Sequence, residues 1–206
     1  MLPLLRVAAP LALIAGFAFS TPSDPAAAAT LTYEANLSGA TEIPPTGSTG
    51  SGFAIVTIDT IADTMRVQES FSGLEAGTTA SHIHCCAIQP ATVGVATTVP
   101  TFPAFPLGVT AGTYDHTLDM TSLASFNPAF VTANGGTAAS AFAALLAGLN
   151  GGEAYINIHT TTFPTGEIRG ILEATPLPST LPLTITGFGL IGLLSWRRKR
   201  RVQAAA

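Results

Sequence analysis

Histidine is the residue type in this sequence best suited to chemistry, and four are present: His82, His84, His116 and His159. Alternate side chains of a β-strand share a face. In Ser81-His82-Ile83-His84 the two histidines therefore point together, with Ile83 opposite. In Tyr155-Ile156-Asn157-Ile158-His159, Ile156 and Ile158 share one face, and Tyr155, Asn157 and His159 share the other. If the isoleucines are core, His82, His84 and His159 all fall on the non-core side of their strands. The last strand repeats the pattern, with Ile168 and Leu172 on one side and Glu167 and Arg169 on the other. A His-x-His pair on a strand spaces its imidazoles by about 7 Å at the backbone, close enough to converge on one ion. Imidazole suits copper or zinc. The competing reading is two surface histidines that bind nothing and a third that hydrogen-bonds a loop.

Cys85-Cys86 follows at once and is the only cysteine pair in the chain. In an oxidising compartment free thiols do not persist, so the expectation is a vicinal disulfide. An intermolecular bridge and soft metal ligation by one sulfur are the alternatives. No serine sits in a Gly-x-Ser-x-Gly elbow, and no Gly-rich strand–helix turn cradles a phosphate. Glu153 and Glu167 offer a carboxylate pair or, with nothing to set them apart, two solvated surface acids, and Glu167–Arg169 reads as a local ion pair along its strand.

Short alternating or β-branched runs must position these side chains. They fall at residues 31–38, 52–59, 65–71, 80–84, 113–119, 154–160 and 167–173, punctuated by Gly, Pro, Ser and Thr. In the third run Met65, Val67, Glu69 and Phe71 share a face. This pattern predicts an all-β fold, a sandwich or barrel, with no internal repeat. One exception is the Ala/Leu-rich segment 137–149, closed by Asn150-Gly151-Gly152, which predicts a short helix. Residues 89–112 carry Pro90, Pro100, Pro103 and Pro106 and predict a long ordered loop. Phe102 and Phe105 within it offer either an apolar surface contact or buried anchors.

The chain has 206 residues, of which 47% are hydrophobic and only 10% charged, against roughly 25% in an average soluble domain. That excludes a charged coiled coil and a highly charged disordered chain. Between residues 30 and 175 stand two basic residues, Arg66 and Arg169, against eleven acids, a formal charge of −9 with histidine neutral. Such a body repels phosphate backbones, so no nucleic-acid partner is expected.

The remaining charge marks the ends. Arg6 precedes an apolar run over residues 7–19, and Ala26-Ala27-Ala28-Ala29 supplies a small-residue cleavage site. Residues 1–29 therefore predict a signal helix removed by signal peptidase, the alternative being a retained anchor. At the other end residues 181–196 are uncharged, and Arg197, Arg198, Lys199, Arg200 and Arg201 follow. This predicts a short transmembrane helix with a cytoplasmic basic stop, placing residues 30–174 outside the cytoplasm. The third segment is thus 175–206. A plain single-pass tail anchor is its alternative reading.

With Pro176-Leu177-Pro178-Ser179-Thr180 before that helix, the tail resembles the PEP-CTERM class of bacterial sorting signals, in a Pro-Leu-Pro variant. The resemblance implies a Gram-negative bacterium, an exosortase-type membrane peptidase as partner, and release to the cell surface or matrix. The central segment resembles the CHRD domain over about residues 31–173. Three ordered motifs carry this: Leu37-Ser38-Gly39-Ala40-Thr41-Glu42-Ile43-Pro44-Pro45; then Ser81-His82-Ile83-His84; then Asn157-Ile158-His159-Thr160 with Gly166-Glu167-Ile168-Arg169-Gly170. Cys85-Cys86 and the Pro-rich insertion depart from the family's pattern. CHRD membership implies an extracellular β-domain with a binding or matrix role. The order His82, His84, His159, Arg169 is also similar to that of copper/zinc superoxide dismutases, whose ligands lie outside a Greek-key β-barrel. No counterpart of their fourth copper ligand or zinc ligands is evident.

Two classes of function follow. The first is a non-enzymatic exported module of the envelope or biofilm matrix, structural or binding, with copper or zinc at His82, His84 and His159 as an option. The second is a dismutase-like copper redox enzyme in which Arg169 steers an anionic substrate. A third reading is carbohydrate or protein binding by the Pro-rich loop.

Overall fold

The computed structural model describes residues 30–175; the predicted signal and sorting segments lie outside them. Among the described residues no helix is long and apolar enough to cross a membrane. The strands are β1 (Thr30–Ser38), β2 (Ser51–Asp59), β3 (Thr64–Ser72), β4 (Thr78–His84), β5 (Gly112–Asp119), β6 (Tyr155–Thr160), β7 (Ile168–Ile171) and β8 (Glu173–Ala174). The helices are α1 (Pro128–Ala133) and α2 (Ala138–Asn150).

All strands join one antiparallel sheet in the order β4-β6-β7-β1-β2-β3-β5, with β8 also on β1. The sheet curls into a half-barrel. Ser81 on β4 reaches Glu69 on β3 across the interior, though four strands separate them in the sheet. The architecture is therefore mostly β, as the alternation predicts, but it is one curled sheet rather than two facing ones. Alternation sets the inward face: Tyr33, Ala35 and Leu37 on β1, Ala54, Val56 and Ile58 on β2, and Met65, Val67 and Phe71 on β3. Glu69 shares that face and is buried with them. Phe130, Val131, Phe142, Leu145 and Leu149 of the helices pack into the same core.

Helix α2 starts where the sequence predicts, capped by Thr137 in a reciprocal arrangement with Ser140. Helix α1 was not expected. Asn127 accepts from the Ala129 N–H as N-cap and Pro128 takes the first helical position. The predicted last strand, 167–173, is divided: β7 ends at Ile171 and β8 begins at Glu173.

Strands β4, β6 and β7 are buried on both faces, unlike the alternating β1, β2, β3 and β5. On β4 the cause is the loop that follows it. It runs along the outer edge of that strand, where Ala96 and Phe102 N–H donate to the Ile83 and Ser81 carbonyls. The hydroxyls of Thr97 and Thr101 accept from the Ile83 and Ser81 N–H groups. Proline has no N–H to give a regular ladder, so threonine side chains complete the edge. Phe102 and Phe105 are 0% and 4% exposed. They are buried anchors that hold this loop down, which removes them as an apolar binding surface.

Candidate metal centre

The β4–β6 register sets His82 opposite Asn157 and Ala80 opposite His159, so His159 lies diagonally across from His82. His84 follows on the same face of β4. All three histidines stand on the face opposite Ile83, Ile156 and Ile158, as parity predicts. They are not surface residues, because the Pro-rich loop covers that face: His82 and His84 are 6% and 8% exposed, and His159 is half-buried. One ligand nitrogen from each lies within 4.8 Å of the others.

The second nitrogen of each ring is held by a backbone carbonyl. His82 Nε2 lies 2.6 Å from the Pro100 oxygen, His84 Nδ1 2.7 Å from that of Val93, and His159 Nδ1 3.0 Å from that of Pro164. A carbonyl only accepts, so each of these nitrogens carries the hydrogen. Burial pushes His82 and His84 down to about 4 and lowers His159 as well. The rings are therefore neutral at pH 7, with one N–H apiece.

Three lone pairs remain. His82 Nδ1 and His159 Nε2 face each other at 3.3 Å with no proton between them. His84 Nε2 is buried without a hydrogen-bond partner. Metal–nitrogen bonds of about 2.0–2.1 Å put two nitrogens of a tetrahedral ion about 3.4 Å apart, which the His82–His159 gap matches. The donor set therefore fits copper or zinc. Carbonyls that fix the tautomers of ligating histidines are the usual outer support of such a centre.

Arg169 lies on this face too, but not as a free charge. It is 2% exposed, and its guanidinium bridges to Glu42 at 2.8 Å. It also donates to the Ala91 carbonyl at 3.0 Å and to Thr92 Oγ1 at 3.5 Å, and it stacks 3.9 Å from the centroid of Tyr155. Tyr155 stacks on the His84 ring at 4.6 Å and 8°. Glu42 also accepts from Asn157 Nδ2 at 3.5 Å. Its carboxyl is raised by burial, against the opposing pull of Arg169, Asn157 and the Ile43 N–H.

The expected Glu167–Arg169 pair does not form. Glu167 is fully buried, and it accepts from Ser48 Oγ, the Glu75 N–H and Thr160 Oγ1. Those three donors satisfy its oxygens, leaving Arg169 to Glu42. The same burial overturns its reading as a solvated acid, and Glu153 shares none of its partners. Glu42 was not singled out as a site residue. Its signal was present, as the one charged residue of the 37–45 motif.

The structure joins Cys85 and Cys86 as a vicinal disulfide. It lies against α2 at Gly148, where an added Cβ would run into both sulfurs. Cys85 is buried and Cys86 exposed. His116 is on β5, beside Tyr114, and is not part of the three-histidine cluster. The family model described as CHRD domain matches residues 33–172. No curated protein and no solved structure matches the chain.

Proposed function

This chain belongs to the CHRD domain family, and from that premise we propose that it is an exported structural or binding module that holds copper or zinc at His82, His84 and His159. One observation carries the reading: three backbone carbonyls set three neutral imidazoles so that their lone pairs converge with no proton to share. Converging lone pairs repel, and a cation relieves the repulsion. His82 Nδ1, His84 Nε2 and His159 Nε2 are the donors. Bound zinc would supply a redox-inert cross-link between β4 and β6, and bound copper would add one-electron chemistry.

In this proposal signal peptidase removes residues 1–29. An exosortase-type peptidase then acts near 176–180 and delivers the domain to the cell surface or matrix. The curled antiparallel sheet and the order of its histidines are in keeping with a Greek-key-like barrel of the dismutase pattern, a likeness of arrangement only. The binding module ranks above a dismutase because Arg169 is buried and committed to Glu42. A paired, covered arginine does not steer anions from solvent.

Elemental analysis of the purified protein, wild type against His82→Ala/His84→Ala, tests the proposal. Near-stoichiometric copper or zinc that is lost in the double variant is the expected result. Absence of metal after reconstitution with either ion would sink it.

A further inference from the structure

We propose that Glu42, Arg169 and Tyr155 form a positioning column for one ligand, His84, and hold its Nε2 on the centre. The proposal deepens the metal reading, but it concerns an orientation that exists before any ion arrives. His84 has one hydrogen bond, from Nδ1 to the Val93 carbonyl. A single bond leaves an imidazole free to rock about it. The plane of the ring is set instead by Tyr155, stacked nearly parallel at 8°. His82 and His159 meet each other edge-on; His84 has a stacked aromatic support.

Tyr155 is fixed in turn. The Arg169 guanidinium lies 3.9 Å from its ring centroid, and planar cations stack well on aromatic faces. Its hydroxyl reaches the Val93 carbonyl at 3.4 Å, the same oxygen that holds His84. Arg169 is anchored by Glu42 and grips the Ala91 carbonyl and the Thr92 hydroxyl. Three successive loop residues, 91–93, are therefore tied to one column. Glu42 has its place because residue 166 is glycine. Gly166 has φ +128°, and a Cβ there would run into Glu42 Oε1 and Asn157 Nδ2. The opening and closing motifs of the sequence thus meet behind a ligand of the middle one. Arg169 is a positioning residue, since it touches no ligand nitrogen.

The test uses the full-length protein with Tyr155→Phe, Tyr155→Leu and the double variant Glu42→Gln/Arg169→Met, which removes both buried charges together. His116→Ala is the control. The first readout is the long-range proton–nitrogen spectrum of His84 without metal. Wild type and Tyr155→Phe are expected to show one tautomer, with Nε2 unprotonated; Tyr155→Leu and the double variant are expected to show a mixture. The second readout is copper affinity by competition. Loss of about 10–100-fold is expected for Tyr155→Leu and the double variant, and less than about threefold for Tyr155→Phe and the control. If Tyr155→Leu does not fold, the double variant decides. A single His84 tautomer and unchanged affinity in these variants would overturn the column while leaving the metal reading intact. Tautomer mixing in a protein that binds no copper would support the column and sink the metal reading.

Discussion

A carboxyl group buried among hydrocarbon must stay neutral or find a cation, and Glu69 has no cation. It sits 4% exposed among Met65, Val67 and Phe71, with Ser81 Oγ at 2.9 and 3.0 Å from its two oxygens. Burial pushes its pKa up to about 8. The protonated acid can donate to Ser81 Oγ, whose own hydrogen goes to the Asn157 carbonyl at 3.1 Å, so the chain of donors closes. The group's pKa is higher folded than unfolded. Its contribution is complete below about pH 4.5 and is lost as pH rises to about 8. At about 1.4 kcal/mol per pKa unit the loss is on the order of 4–5 kcal/mol. Glu69→Gln should remove that dependence. We expect the stability difference between wild type and Glu69→Gln, from urea melts, to shift steadily against wild type from pH 5 to pH 8.5. A difference that does not move with pH would show that Glu69 is ionised or solvated.

The helix α2 and the strand β4 meet at Gly148 and the Cys85–Cys86 disulfide. Alanine in place of glycine ordinarily strengthens an exposed helix by about 1 kcal/mol. Here the new methyl would run into both sulfurs. Gly148→Ala should therefore destabilise the protein by about 1–3 kcal/mol, and the sign should reverse in a Cys85→Ala/Cys86→Ala background. Denaturation of the four members of that cycle measures it; additive effects would mean that the contact is not tight. The elements most legible in the sequence were those with a period. The runs at 31–38, 52–59 and 65–71 are strands because alternation buried one face of each. Helix α1 escaped because its six residues are too few to show a period, and Asn-Pro marks a turn as readily as a cap. Strand parity put His82, His84 and His159 on one face because cross-strand pairing preserves faces. It could not show that the face would be covered, since the carbonyls of Val93, Pro100 and Pro164 carry no sequence signature. Nor could it pair Arg169 with Glu42, which lies 127 residues away in a turn.

At the scale of the whole molecule, a formal −9 over residues 30–175 surrounds a centre that contains no carboxylate. Both arginines of that body are paired. Arg66 bonds Asp115 at 2.5 Å on the surface, where such a pair contributes about 0–1 kcal/mol, and Arg169 bonds Glu42 inside. The field therefore gathers cations near the centre while its neutral nitrogens do the binding. An ion bound only by the folded state stabilises it by about 2.7 kcal/mol at a hundredfold excess over the dissociation constant. For a domain of this size that is a rise of roughly 5–10 °C in melting temperature. We expect the rise with copper or zinc in wild type and its absence in His159→Ala, read by calorimetry. An equal rise in both would place the ion elsewhere.

The ligands also impose a calendar on the chain. His82 and His159 stand 77 residues apart, with β5, α1 and α2 between them. A chain emerging from its N-terminus presents two histidines early and must wait for the third until both helices have been made. Even then β6 must find β4 before the third lone pair arrives. An ion held by all three is thus admitted only once β6 has paired with β4, and its presence reports that this long-range pairing has been made.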